Sequence, residues 1–269
     1  MRTFVISDSH GHPEVFKAAL EHGGFEPGRD RLVFAGDFLD RGTDAEGCLA
    51  LVERYADEVL VGNHDLAVLL DIPIWPQEAD SPSFRPLLID RVLRADPSRA
   101  WKAATSVEGV LVSHAGISAR YGRVFREVCG GDAAEFTRHL DEAFRDVVRW
   151  WVDGADEEEA AAAADPHADD ESAAYETGGP LDVFGGDDGG LLLGEQGPFW
   201  FRPPPYTDLE PLAGVTQVAG HTPPIAGLAR RGFHMIDPGV WVAELGEPLI
   251  FRYAVIEDGE VRVEEGDVD

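Results

Sequence analysis

Residues 31–42 read Arg31-Leu32-Val33-Phe34-Ala35-Gly36-Asp37-Phe38-Leu39-Asp40-Arg41-Gly42. The apolar run Leu32–Ala35 is too short for a helix and lacks polar alternation, the pattern of a strand buried on both faces. It stops at a glycine, and charged residues follow at once. The same order recurs. Thr3–Ser7 runs into Asp8-Ser9-His10-Gly11, Val59–Val61 into Gly62-Asn63-His64-Asp65, and Val110–Ser113 into His114-Ala115-Gly116. Between these runs, Pro13–Glu21 (with Pro in its first turn), Ala45–Tyr55, His64–Leu70 and pieces between Leu87 and Ala104 predict helices. A βαβαβα rhythm implies an α/β layered fold whose functional loops follow the carboxyl ends of strands.

Further along, Phe136, Leu140, Phe144, Val147, Val148 and Trp151 recur at three- and four-residue steps, which predicts one long helix over Ala133–Trp151. From Asp153 to Gly190 there are thirteen Asp or Glu and no Lys or Arg. Such a stretch buries too little apolar surface to offset its ordering entropy and is expected to be a flexible insertion in a single domain spanning 1–269. Val215–Ala219, Phe233–Ile236, Val240–Glu244 and Leu249–Ile256 predict strands of a second sheet. The acidic tail, 257–269, is expected to fray.

Composition narrows the functional classes. With 269 residues, 44% hydrophobic and 27% charged, the chain can bury a substantial core. Its 51 acidic against 22 basic residues give a formal charge of −29, which excludes the basic surface that nucleic acid needs and disfavours anionic membranes. Only Lys17 and Lys102 are lysines, a bias that fits the codon usage of a GC-rich genome or a salt-adapted cytoplasm. No apolar stretch approaches a membrane span, so a soluble cytoplasmic protein is expected. Two cysteines, Cys48 and Cys129, argue against a disulfide framework and rule out a four-cysteine zinc site.

Five clusters, the four above and Gly220-His221-Thr222, bring His10, His64, His114 and His221 together with Asp8, Asp37, Asp40 and Asp65. Carboxylate, imidazole and amide oxygen together suit divalent transition ions better than Ca²⁺. Asp8, His10, Asp37, Asn63, His114 and His221 exceed what one ion takes, and a bridging carboxylate would divide them between two. Two such ions suit displacement at phosphorus, and hence phosphoester hydrolysis.

The ordered set DSHG, GDFLDRG, GNHD, SHAG and GHT resembles the calcineurin-like metallophosphoesterase superfamily, and its DRG sequence resembles the phosphoprotein phosphatase branch. The resemblance implies a β-sandwich flanked by helices, with a dinuclear metal site at the strand ends. It puts Asp8 and His10 on the first metal, Asp37 between the two, and Asn63, His114 and His221 on the second. It makes His64 the acid that protonates the leaving group, oriented by Asp40, and Arg41 a phosphate clamp, with Arg202 as the second. The implied cofactors are two divalent ions, Mn²⁺ first, with Fe, Zn, Co or Ni as alternatives. The implied activity is that of a metal-dependent phosphatase acting through a metal-bound hydroxide. Phosphomonoesters, including phosphoserine and phosphothreonine, are the favoured substrates.

Ser7 and Asp65 depart from the usual pattern of that branch without touching a ligand. They leave open a dinucleoside polyphosphate hydrolase or phosphodiesterase, for which Phe199-Trp200-Phe201 offers a surface to stack a base. A third reading is a non-catalytic metal-binding interaction module. Cys48 and Arg54 form a literal C-x5-R, but the intervening residues are helix-forming and lack glycine, so they cannot wrap a phosphate. Gly185–Gly190 has the glycines of a phosphate cradle without its Lys, and reads as a spacer. His12, His22, His139, His167 and His234 lack ligand spacing and read as surface or packing residues.

Overall fold

Every buried strand of the first half has apolar side chains on both faces, and each face has its own partner. In the computed structural model, which describes residues 1–154 and 190–268, Phe4 and Ile6 of β1 (Thr3–Ile6) and Leu32 and Phe34 of β2 (Arg31–Phe34) pack outward with helix residues Val15, Phe16 and Val52. Val5 and Val33 point the other way, onto Val110, Val112, Val218 and Ile236 of a second sheet. The result is a layered α/β sandwich. Helices α1 (Pro13–Gly23) and α2 (Ala45–Tyr55) lie on the side of the first sheet, and α5 (Ala133–Gly154) packs on β4 (Ala104–Val107) and β5 (Val110–Ser113) of the second.

The first sheet has the order β3-β2-β1-β8-β9, with β3 at Glu58–Val59, β8 at Ile250–Glu257 and β9 at Glu260–Asp267. The second has the order β4-β5-β6-β7, with β6 at Gln217–Ala219 and β7 at Phe233–Met235. Strands β1, β2 and β3 are parallel, as are β5, β6 and β7. Two parallel triplets, one from each sheet, therefore bring their carboxyl ends to one edge of the sandwich. Helices α3 (Asn63–Leu70) and α4 (Arg85–Val92) complete the first half.

Five expectations change. Leu249–Ile256, expected in the second sheet, forms β8 of the first, paired antiparallel with β1. The helical pieces expected between Leu87 and Ala104 are α4, which ends at Val92, and a 3₁₀ turn over Pro97–Arg99, but Ala104 already begins a strand, Ala104–Val107, paired antiparallel with β5. Val240–Glu244 is not a strand but part of a 3₁₀ turn, Val240–Leu245, because Gly239 (φ 71°) and Gly246 (φ 78°) close it at both ends and only Val240 turns into the core. The tail does not fray. Asp258 (φ 54°) and Gly259 (φ 75°) make a two-residue hairpin turn, and Glu260–Asp267 pairs with β8 over its whole length while Val261 and Val263 pack against the inter-sheet core. The long helix reaches Gly154, three residues past its expected end, so Asp153 is helical. The rest of the expected insertion, with His167 and most of the 185–190 glycine run, lies outside the described residues. No described helix is long and apolar enough to cross a membrane.

Candidate metal centre

Asp8 follows β1, Asp37 follows β2, Asn63 opens α3 after β3, His114 follows β5 and His221 follows β6. Backbone hydrogen bonds sew these loops together before any side chain is considered. Asp8 N donates to Gly36 O (2.9 Å), His10 N to Asp37 O (3.0 Å), Gly42 N to His10 O (2.8 Å) and Gly220 N to His114 O (2.7 Å). The close approach demands glycine at two points. A Cβ on Gly62 would stand 2.0 Å from Asp37 Oδ1, and one on Gly220 2.0 Å from Asp8 Oδ2. Among the described residues nine non-glycine positions have positive φ, and six of them are Asp8, His10, Asp37, Asp40, Arg41 and His221. Each such position costs on the order of 1–3 kcal/mol, so the fold holds strained backbone where the charged side chains converge.

Two triplets of donors, His10–Asp37–His64 and Asp8–Asp37–His114, each keep their ligand atoms within 4.8 Å of one another and share Asp37. Asn63 Oδ1 lies 2.9 Å from both His114 Nε2 and His221 Nδ1. The sequence-predicted residues thus meet in one place. Asp8, His10, Asp37, Arg41, Asn63, His64, Arg202 and His221 line a cavity of about 320 Å³, with His114 beside Asn63 and Asp40 behind His64.

The protonation pattern tests whether a cation fits. His10 Nδ1 faces the Leu39 carbonyl (2.7 Å) and His114 Nδ1 the Ala35 carbonyl (2.9 Å). A carbonyl only accepts, so Nδ1 carries the proton and Nε2 presents a lone pair. Burial holds both imidazoles neutral: it is the largest cause lowering His10, well below its ordinary value, and the largest lowering His114. His10 Nε2 then looks at Asp37 Oδ2 (3.3 Å), and His114 Nε2 at Asp37 Oδ2 (3.4 Å) and Asn63 Oδ1 (2.9 Å). These are acceptors facing acceptors. Burial, followed by repulsion from Asp65 and Asp8, pushes the Asp37 carboxyl well above the usual carboxylate range. Burial and the Arg202 charge lower His221, whose Nε2 has no hydrogen-bond partner. Converging lone pairs and crowded carboxylates are the chemistry of a divalent-cation site, and the residues fit one.

Beside it lies an acid–base pair. His64 Nδ1 is 2.6 Å from Asp40 Oδ2, and Asp40 Oδ1 accepts from Ser81 Oγ (2.5 Å) and Glu78 N (3.0 Å). Ser81 and Glu78 sit in no motif, and no sequence signal pointed to them. Asp65 acts as a knot: its carboxylate accepts the backbone N–H of Asp37 (2.8 Å), Phe38 (3.3 Å) and Gly62 (3.0 Å), tying the loop after β2 to the start of α3. Asp237, Pro223, Val240, Trp241 and Glu244 also line the cavity. Asp237 was detectable, since it follows the end of β7 as Asp8 follows β1.

The residues read as bystanders have other partners. His12 pairs with Glu14, His22 with Tyr253 and His139 with Glu135. Cys48 is buried in α2, and burial pushes its thiol up to about 12. Phe199 and Phe201 are fully buried, and Trp200 stands edge-on to His221 with ring centroids 6.2 Å apart. Phe199 and Phe201 are therefore core and cannot stack a base, while half-buried Trp200 borders the site. Arg202 lines the cavity, with Nη1 3.3 Å from Thr222 Oγ1.

Residues 1–224 match the family model described as calcineurin-like phosphoesterase. Relatives include a "Bis(5'-nucleosyl)-tetraphosphatase, symmetrical" of Chromohalobacter salexigens, 44% identical over 26% of this chain and 26% of that protein. Another, of the same name from Aggregatibacter actinomycetemcomitans, is 30% identical over 52% of this chain and 53% of that protein. The matched region thus spans about half the length of such relatives, or less. A crystal structure of a mutant cold-active protein tyrosine phosphatase shares the fold, with a TM-score of 0.61 at 17% identity, covering 100% of this chain and 80% of that one.

Proposed function

The chain belongs to the calcineurin-like phosphoesterase family, and from that premise we propose that it hydrolyses dinucleoside polyphosphates at a dinuclear metal centre. The observation that carries the chemistry is Asp37, common to both donor triplets and flanked by neutral imidazole lone pairs. The substrate class draws its support from the relatives, which are named tetraphosphatases. That moves the reading from the phosphomonoesters favoured on sequence grounds to the alternative kept beside them.

Asp8, His10 and Asp37 would hold one ion, and Asp37, Asn63, His114 and His221 the other. When bound, such ions supply Lewis-acid charge at the phosphoryl group and an activated water. Arg41 and Arg202 hold phosphoryl oxygens through charge-assisted hydrogen bonds. His64 gives the departing oxygen its proton, while Asp40 fixes the ring by accepting from Nδ1 and so leaves Nε2 to serve the substrate. Ser81 and the Glu78 amide in turn hold Asp40.

A second reading, phosphomonoesters including phosphoserine and phosphothreonine, is favoured by the cavity of about 320 Å³, which admits a phosphoryl group without requiring a nucleoside. A substrate panel separates the two. Mn²⁺-loaded protein is assayed on diadenosine tetraphosphate, a phosphoserine peptide, an aryl monoester and an aryl diester, with and without chelator. Chelator-sensitive turnover with the highest kcat/KM on the dinucleotide is expected. A higher value on the peptide or monoester transfers the assignment to the second reading, and no chelator-sensitive turnover on any substrate overturns both.

A further inference from the structure

The cavity that gathers the metal-binding residues is polar on its floor, and one lip differs. That lip is the 3₁₀ turn Val240–Leu245, which contributes Val240, Trp241 and Glu244. Trp241 is 43% exposed and is the one Phe, Tyr or Trp among the described residues lining the cavity. A Cβ built on Gly239 would lie 3.6 Å from Trp241 Nε1 and 3.7 Å from Pro223 Cγ, so the indole nitrogen and Pro223 both lie beside the Gly239 backbone. Side chains three apart in a 3₁₀ turn eclipse one another, which places Glu244 on the face that carries Trp241. Glu244 Oε1 is 3.5 Å from Arg41 Nη1.

We propose that this turn is a nucleoside-selective lip, with Trp241 stacking on a base of the substrate and Glu244 discouraging polyanions that bring no base. The inference rests on the dinucleotide reading above and adds the residues that would enforce it. A dinucleotide whose phosphates enter the metal cavity must leave its bases at the rim, because the cavity is too small to enclose them. The half-exposed indole is the apolar surface it meets there. A base stacked on an exposed indole gains contact whatever its identity, so the platform selects for nucleosides as a class. Glu244 supplies the opposing element. A carboxylate beside Arg41 competes with any phosphate for that guanidinium, and a substrate that also stacks can offset the competition where a bare polyphosphate cannot.

The test compares kcat/KM on diadenosine tetraphosphate with kcat/KM on inorganic tetrapolyphosphate, for Mn²⁺-loaded wild type, Trp241→Ala, Trp241→Phe and Glu244→Gln. Partial misfolding scales both rates alike, so their ratio is internally controlled. The ratio should fall about 10- to 100-fold in Trp241→Ala, the worth of one base-on-aromatic stack. It should stay within about threefold of wild type in Trp241→Phe, which keeps an aromatic face. In Glu244→Gln it should fall because tetrapolyphosphate turnover rises. An unchanged ratio in Trp241→Ala, or a fall in Trp241→Phe as large as in Trp241→Ala, overturns the lip while leaving the dinucleotide reading intact. A wild type that turns over the aryl monoester but not the dinucleotide overturns both.

Discussion

At the scale of single residues, Asp37 has the most demanding surroundings. Its Oδ1 accepts the His64 N–H (2.9 Å), its Oδ2 faces two imidazole lone pairs, and its φ is 62°. Without cations this arrangement opposes folding. Asp37→Asn is therefore expected to be at least as stable as wild type when both are stripped with chelator, and to lose metal-dependent activity by more than a hundredfold. Thermal melts with and without chelator, paired with rate assays, check both halves. Arg41→Ala removes a charge-assisted contact of about 1.5–3 kcal/mol, so the inhibition constant for inorganic phosphate should rise roughly 10- to 100-fold. The opposite outcome is expected at Cys48, whose thiol burial has raised to about 12. At pH 8 it is protonated and enclosed, so iodoacetamide should leave it unmodified in the native protein, and Cys48→Ala should keep turnover while losing some stability. The candidate ligand residues are readable in the sequence because each follows an apolar run, so residue type and position coincide. Ser81 and Trp241 were not, because their place depends on a loop and a turn that come to the site only through tertiary packing.

At the scale of elements, the loops after β2 and β3 are held by the Asp65 carboxylate, which accepts three backbone N–H groups across 27 to 28 residues and within its own turn. Asp65→Ala leaves those buried donors unpaired at roughly 1–3 kcal/mol each, so it should lower the melting temperature and the metal affinity together. A melt that falls with unchanged metal affinity would separate the knot from the site. The β9 hairpin carries a second prediction. Ending the chain after Glu257 exposes the β8 edge and uncovers Val255 and Ile256, and should give a protein that melts lower and aggregates on heating, measured by light scattering. The tail was misread because net negative charge outweighed a plainer signal. Asp258-Gly259 between alternating runs is a type I′ turn sequence, and Arg252 and Arg262 pair with Glu265 and Glu264 to relieve the repulsion. The Val240–Glu244 strand was misread for a related reason. Its β-branched residues suggest a strand, but the glycines at 239 and 246 end it before any partner can pair.

At the scale of the whole molecule, two parallel triplets from two sheets direct six loops to one edge, and the candidate metal-binding residues come from both. The sequence order of strands and clusters already implied a layered α/β fold with its site at the strand ends. What it could not convey was that β8 and β9, from the far end of the chain, complete the first sheet, since pairing with β1 is a contact across some 250 residues. A site shared between sheets couples metal binding to the stability of the sandwich. Mn²⁺ at about one hundred times its dissociation constant should add roughly 2.7 kcal/mol, or about 5–10 °C in melting temperature for a chain of this size. That increment should shrink in Asp37→Asn, which loses at least one of the two ions. The most direct test of the central claim, a two-ion centre built around Asp37, is to count Mn²⁺ bound per chain by equilibrium dialysis with elemental analysis. Two ions per wild-type chain are predicted, falling to one or fewer in Asp37→Asn. A single ion in the wild type, or two retained in the variant, would contradict it.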